Sequence, residues 1–369
     1  MSRVVNPFLV LLALGMGFLI GEAYLRIFPT PNIDQGQTGL YQAHPTRGFD
    51  YRPNLQRKRW ESIDWKINAE GFRDDEHNKE KSRLRILALG DSYFAGHEVS
   101  FEDSFLAQLE QKLNVEIVKM GIGGYGTTQE RMLWEEKGVQ YQPDIVLLGV
   151  YLLNDVSDEA FFPAKYCLHN GNLIDCDLAE GTWPAQLLVV AAEHSLFARL
   201  TIHSVRNWLA PSTSQSEERE GLFRYANSAI ALYQTTWKPW VAKGFQILQE
   251  NIVDLDRSVT AHQGTLVVIL IPAESQIYDW QWTEYVERFS LRAAEYDRFK
   301  VIQRLTAFLT EKEIRYIDLL PQLRQAGETD PDLHPGHWHW SVKANALVAD
   351  IVEKYLRSHR LLHPQASVR

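Results

Sequence analysis

The chain has 369 residues, 45% of them hydrophobic and 23% charged, with a formal charge of −9. That balance excludes wholesale disorder, and 47 Asp plus Glu against 38 Lys plus Arg leaves no basic footprint for nucleic acid. Two cysteines, Cys167 and Cys176, are too few for a multi-cysteine zinc site or a disulfide scaffold.

In chain order, the first feature is the run VVNPFLVLLALGMGFLIG at 4–21, eighteen residues without a charge. At about 1.5 Å per residue it is just long enough for a hydrocarbon core. Residues 1–30 therefore read as an N-terminal transmembrane anchor, with the lipid bilayer as partner. Arg3 precedes the run, and Glu22 and Arg26 follow it. Gly21 and Ala23 leave a cleaved signal peptide open as the alternative. No second run of this kind follows, so the remainder is expected as one body on the extracytoplasmic side. Residues 31–80, rich in Pro, Gly, Asn, Asp and charge, read as a membrane-proximal extension laid over that body.

From 81 to 357 the pattern is that of a parallel α/β sheet. Short apolar runs at 84–89 (LRILAL), 115–118, 144–151 (DIVLLGVY), 266–271 (LVVILI) and 316–320 suit buried strands. Helical spacing appears at 101–113, from the glycine-rich 121–126 to about Lys137, and at 342–356. Strands alternating with helices imply a parallel sheet with crossover connections. Between about 156 and 262 the alternation lapses, too long for an ordinary crossover, and a helical insertion is expected. It would hold helices at 184–208 and 239–262 around the polar segment PSTSQSEEREG at 211–221. Cys167 and Cys176 flank LHNGNLID, read as a hairpin centred on Gly171-Asn172. That register sets the sulfurs across from one another, so an oxidising compartment would link them. Trp280, Trp282, Trp338 and Trp340 fall in segments expected near the strand ends, as sugar-stacking platforms or as core.

In an open parallel sheet, ligands bind beyond the carboxyl ends of the strands. Three unusual segments stand there. Gly90-Asp91-Ser92-Tyr93 follows the first strand, GIGGYG at 121–126 the second, and Leu153-Asn154-Asp155 the third. A serine nucleophile needs a base for its proton and donors for the developing oxyanion. Ser92 can attack, with the Gly124 N–H and the Asn154 amide as candidate donors. Separately, these pieces also suit a helix cap, a glycine turn and an Asx turn. Their coincidence in strand order favours a site.

GDSYFAG at 90–96, MGIGGYGTTQ at 120–129, PDIVLLGVYLLND at 143–155 and HWSVKANALVA at 339–349 resemble the sequence blocks of SGNH (GDSL-type) hydrolases. KINAEGFRDDE at 66–76 and the anchor are similar to membrane-anchored bacterial members. The resemblance covers about 1–155 and 264–356. It implies a flavodoxin-like three-layer sandwich, Ser92 as nucleophile, Gly124 and Asn154 as the oxyanion hole, and a C-terminal Asp and His. It implies no cofactor and no metal. The chain departs from the pattern at Lys119, where Asn is usual, and at Leu152, where Gly is frequent. Phe94 stands where the wider G-x-S-x-G elbow has its second glycine.

The last block permits two registers. Family members carry Asp two or three residues before the histidine, whereas here Asp332-Leu-His334-Pro-Gly-His337-Trp-His339-Trp-Ser is read. Matching the following helix selects His339 as base and leaves Asp332 to reach around the intervening residues. Matching Asp332-Leu-His334 instead spoils the helix. Three histidines in six residues raise a metal reading, but no matching carboxylate or Cys set accompanies them. The function expected from the resemblance is a serine esterase acting on acyl esters, such as O-acyl groups on a carbohydrate. The alternatives are an O-acyltransferase of a cell-envelope polysaccharide and an anchored carbohydrate-binding protein that has lost catalysis.

Overall fold

The computed structural model describes residues 7–28, 39–59, 63–163, 166–169, 172–175, 191, 195–198, 200–201, 230–334 and 339–362. The expected helix at 184–208 and the polar segment 211–221 lie almost wholly outside them.

The apolar runs form strands buried on both faces, β5 (Arg85–Gly90), β6 (Glu116–Gly121), β7 (Ile145–Tyr151) and β10 (Thr265–Ile271), and a partly exposed edge strand, β11 (Arg315–Asp318). Every pairing is parallel, and the order across the sheet is β11-β10-β7-β5-β6. Counted along the chain this is 2-1-3-4-5, the flavodoxin-like order, whose direction reverses between β5 and β7. The strand-end segments meet at that reversal.

Helices flank the sheet in two groups. In the first, α2 (Phe105–Leu113) packs with α8 (Val342–Ser358), and the Phe105 N–H donates to Asn345 Oδ1 at 2.9 Å. In the second are α3 (Thr127–Glu136), α4 (Asp155–Phe161), α5 (Pro239–Ala261) and α7 (Lys300–Glu311), with α6 (Asp279–Arg288) preceding the last. Trp134 Nε1 donates to Ser258 Oγ at 2.9 Å, and the Arg304 guanidinium lies 5.8 Å from the Phe245 ring centre. The helix expected from residue 101 starts later, because Ser104 is its N-cap and accepts from the Ala107 N–H. Residues 91–104 are thereby left to the loop that carries the site.

The insertion is narrower than its expected bounds of 156–262. α5 buries Val241, Phe245, Leu248, Ile252, Leu255 and Val259 in the core and leads directly into β10. It is the crossover helix of the sheet rather than a lid. The extension is also more structured than its composition suggests. It forms two antiparallel pairs, β1 (Tyr41–His44) with β2 (Gly48–Tyr51) and β3 (Gln56–Arg59) with β4 (Ile63–Lys66). Tyr41, Phe49, Tyr51, Trp65 and Phe72 join the main core. Four-residue strands are too short to show a period of two. Lys119, the departure in the second block, is buried with its Nζ 3.0 Å from Asp74 and 2.6 Å from Glu110. It ties β6 to the extension.

The first helix, α1, spans Pro7–Ile27. Met16, Leu19, Ile20 and Ile27 are exposed on it. Among the described residues, no helix is long and apolar enough to cross a membrane. Glu22 accepts from the Phe197 N–H at 2.9 Å and from Ser195 Oγ at 2.8 Å.

The hairpin forms from β8 (Tyr166–His169) and β9 (Asn172–Asp175), one pair out of the expected register. Cys167 faces Ile174, and His169 faces Asn172, so Asn170-Gly171 is the connection. Asn-Gly is the stronger two-residue hairpin signal, and it outcompetes Gly-Asn. Cys167 is nonetheless disulfide-bonded. The chain's other cysteine, Cys176, lies outside the described residues.

Candidate active site

β5 delivers Asp91-Ser92-Tyr93 to the reversal point of the sheet. Asp91 Oδ1 accepts the Tyr93 N–H at 2.9 Å, an Asx turn that bends the chain at once. The Ala95 N–H donates to Asp91 O, and the His97 N–H to Ser92 O. This turn lies flat on the strands because two glycines leave room for Phe94. A Cβ at Gly90 would fall 2.4 Å from the Phe94 ring, and one at Gly149 2.2 Å from it. Phe94 is therefore a wedge between β5 and β7, and Ser92 stays half-buried on the crest.

Ser92 Oγ lies 2.8 Å from His339 Nε2. His339 is held from its chain neighbours. Trp340 is buried against Tyr93 and Phe105, with ring centres 4.7 and 5.8 Å apart. Ser341 caps α8 and donates its N–H to Leu333 O at 2.8 Å. Of the two registers, the structure brings His339 to the serine. His334 is buried, and neither ring nitrogen has a hydrogen-bond partner among the described residues. Burial first, and then His339, push its pKa down to about 3.

Asp332 does not reach the imidazole. It is exposed on the short turn Pro331–Leu333, whose Asp332 N–H donates to Asp330 Oδ1 at 2.9 Å. That cap directs the turn outward. The acid beside the histidine is one that sequence spacing misses. Glu98 Oε1 lies 3.2 Å from His339 Nδ1. Glu98 comes from the serine's own loop rather than from the last block, so no Asp-x-x-His pattern could flag it. The one available signal was an acidic residue soon after the serine turn.

Asn154 follows β7 as the N-cap residue of α4 and is 5% exposed. Burial pushes the carboxyl of Asp91 up to about 6, against the pull of the Tyr93 N–H, His339 and Asn154. The Asn154 amide nitrogen carries two hydrogens that can meet a developing oxyanion. Gly124 follows β6 with φ +89°, a conformation that favours glycine. A Cβ there would touch Leu173 and Phe49 at 3.4 Å, so the β8–β9 hairpin and the extension cover this part of the crest.

The extension also braces the loops. The Gly123 N–H donates to Tyr51 Oη at 2.7 Å, and Tyr51 Oη lies 3.0 Å from His97 Nε2. Arg73 is buried on the Trp65 ring and donates to the carbonyls of Ala95, Gly96 and Val99, closing the loop that holds Glu98. A lysine cannot fork across three carbonyls. Arg73→Lys is expected to cost about 2 kcal/mol or more in denaturant melts, since charged hydrogen bonds are worth roughly 1.5–3 each. An unchanged melt would show that another contact holds the loop.

Trp340 is core, Trp282 is partly buried, Trp280 is exposed, and Trp338 lies outside the described residues. Among the described residues no group of three His, Cys, Asp or Glu could hold a metal ion. What remains is a hydroxyl, an imidazole and a carboxylate in line, with amide donors on the neighbouring strand ends. Such a set can deprotonate a serine for attack on a carbonyl.

No protein-family model matches the chain, and no curated protein matches it. Solved structures similar to it include an acetylxylan esterase from Geobacillus stearothermophilus, in a catalytic mutant, at 11% identity and TM-score 0.41. That match covers 78% of this chain and 100% of the other. A member of the lipolytic protein G-D-S-L family from Veillonella parvula DSM 2008 matches at 12% identity and TM-score 0.39, over 74% and 98%. A psychrotrophic esterase from Pseudoalteromonas sp. matches at 12% and 0.37, over 75% and 98%.

Proposed function

We propose that the protein is a serine esterase of the SGNH type. The observation that carries this is the 2.8 Å contact of Ser92 Oγ with His339 Nε2 at the sheet's reversal point. Ser92 Oγ attacks the acyl carbon while its proton passes to His339 Nε2. The Gly124 N–H and the Asn154 amide stabilise the oxyanion. On collapse the alcohol leaves with the proton from His339, and water, activated by the same imidazole, releases the acid. A binding protein that had lost catalysis would gain nothing from a serine hydroxyl aimed at an imidazole. The test is turnover of a short-chain aryl ester together with labelling by a serine-directed phosphonate. Mass spectrometry should place the phosphonyl group on Ser92, and labelling elsewhere, or none, overturns the reading.

For the substrate class we propose an acylated carbohydrate. Trp280, 56% exposed on α6, stands beside Tyr278 with ring centres 5.7 Å apart. Tyr278 is buried and backs the indole, and one exposed flat ring such as Trp280 suits the apolar face of a sugar. Passing the acyl group to a sugar hydroxyl instead of water would give an O-acyltransferase with the same acyl-enzyme.

For location we propose attachment to a bilayer through α1, with the site on the extracytoplasmic side. The exposed Met16, Leu19, Ile20 and Ile27 support it, as does the disulfide at Cys167, since such bonds persist in oxidising compartments. The full chain is expected in the membrane fraction and, with residues 1–23 removed, in the soluble one. Soluble full-length protein that retains Met1 would overturn the attachment.

A further inference from the structure

We infer that Glu98 is the positioning carboxylate of this site, in place of the acid that the last sequence block lacks. The inference rests on the esterase reading and adds to it a residue that no block supplies. Glu98 Oε1 stands 3.2 Å from His339 Nδ1, while Nε2 of the same ring faces Ser92 at 2.8 Å. Both side chains are mostly buried, at 12% and 14% exposure, so the pair is poorly screened by water. No described group hydrogen-bonds either Nδ1 or the second oxygen, Oε2. Nδ1 thus stays open to Oε1, the carboxylate oxygen beside it, and contacts of this kind align when substrate closes the site.

The backbone carries the second argument. Glu98 has φ +65°, the left-handed region that a side chain with a Cβ adopts at a cost and glycine adopts freely. Arg73 holds the flanking carbonyls of Ala95, Gly96 and Val99, which keeps the strained residue in place. Strain retained beside a reactive histidine points to a function for the side chain. A position where glycine would be easier holds an acid that touches the base.

In the reaction the Oγ–H bond breaks and the Oγ–acyl bond forms, with the proton moving to Nε2. Nδ1 keeps its own proton and donates it as a hydrogen bond to Oε1. The carboxylate fixes the tautomer and stabilises the imidazolium. The other titratable or polar groups facing His339 are Asp91, His97, His334 and Glu274, with the Tyr93 ring at 5.1 Å.

The experiment compares Glu98→Gln, Glu98→Asp and Glu98→Gly on an aryl ester, with melting curves and pH profiles for each. Glu98→Gln and Glu98→Gly should lose on the order of 10²- to 10⁴-fold in kcat with little change in KM. Glu98→Gly should melt at the same or a higher temperature, because its backbone strain is relieved. The acid limb of kcat/KM should move to lower pH in Glu98→Gln, since a negative charge beside the imidazole is gone. Glu98→Asp should recover part of the loss. If Gln and Gly variants keep activity within about 3-fold of the parent, with an unmoved acid limb, Glu98 is idle. With His339→Ala inactive in the same assay, that result leaves a Ser–His dyad and the esterase reading intact. Absence of any Ser92-dependent turnover in the parent protein overturns both together. Should Glu98→Gly fail to fold, the isosteric Gln variant decides the outcome alone.

Discussion

Replacing Ser92 by alanine is expected to reduce turnover of a short-chain aryl ester on the order of 10⁵-fold or more. The hydroxyl is the only atom lost, and it is the atom that forms the covalent bond to the acyl group. Removing it leaves water as nucleophile, oriented only by the oxyanion donors and by binding. Stability should change little, because Ser92 is half-buried and the turn is built from backbone and Asp91 bonds rather than from Oγ. The measurement is kcat/KM beside a denaturant melt of the same preparation. A variant that keeps the parent's activity means another nucleophile is at work, and the proposed chemistry is then wrong. Phosphonate labelling should vanish in parallel. Loss of activity without loss of labelling would place the reactive serine elsewhere in the chain.

The strand pattern made the sheet legible, and the reason is physical. Strands such as LVVILI are buried on both faces, so their apolar runs are continuous and stand out from the flanking polar turns. The strand-end segments were legible for the same reason, since they interrupt that apolar rhythm at the sites where ligands bind. The extension was not. Its residues Tyr41, Phe49, Tyr51 and Trp65 enter the core one or two at a time, from four-residue strands too short to establish a period. The role of α5 was hidden because a crossover helix and a lid helix share one amphipathic pattern until the partner is known.

Within the site, the difficulty was a carboxylate recruited across the fold. Asp332 stands near His339 in sequence, yet the Asp330 cap turns it to solvent. Glu98 is 241 positions away and arrives because Arg73 closes its loop over the crest. Sequence proximity carries information on such contacts only within one element. Phe94 illustrates the converse. It breaks the usual elbow pattern, and the glycines it needs are Gly90 beside it and Gly149 on another strand.

The choice between the two histidines gives the second large effect. His339→Ala should cost at least about 10³-fold in kcat/KM, because nucleophile and base act as a unit. His334→Ala should stay within about 10-fold, since its ring lies near His339 but hydrogen-bonds neither it nor Ser92. The two also differ in how they couple to stability. Burial holds His334 near 3 in the folded chain, while an unfolded chain protonates it near its ordinary value of 6.5. Between those values the unfolded state binds more protons, so its contribution is full above 6.5 and is lost as pH falls toward 3. Asp91 acts with the opposite sign. Its carboxyl is raised from 3.8 to about 6, so the folded state binds the extra proton in that window and gains stability as pH falls. The two partly cancel in the parent, and deleting His334 removes one of them. The stability of His334→Ala relative to the parent should therefore climb as pH is lowered from 7 to 4, by up to about 1.4 kcal/mol per pH unit. A constant offset set by the lost packing does not affect that slope. A flat difference would mean that His334 takes up its proton in the folded chain. If His334→Ala is the inactive variant and His339→Ala keeps most activity, Asp332-Leu333-His334 is the catalytic segment after all.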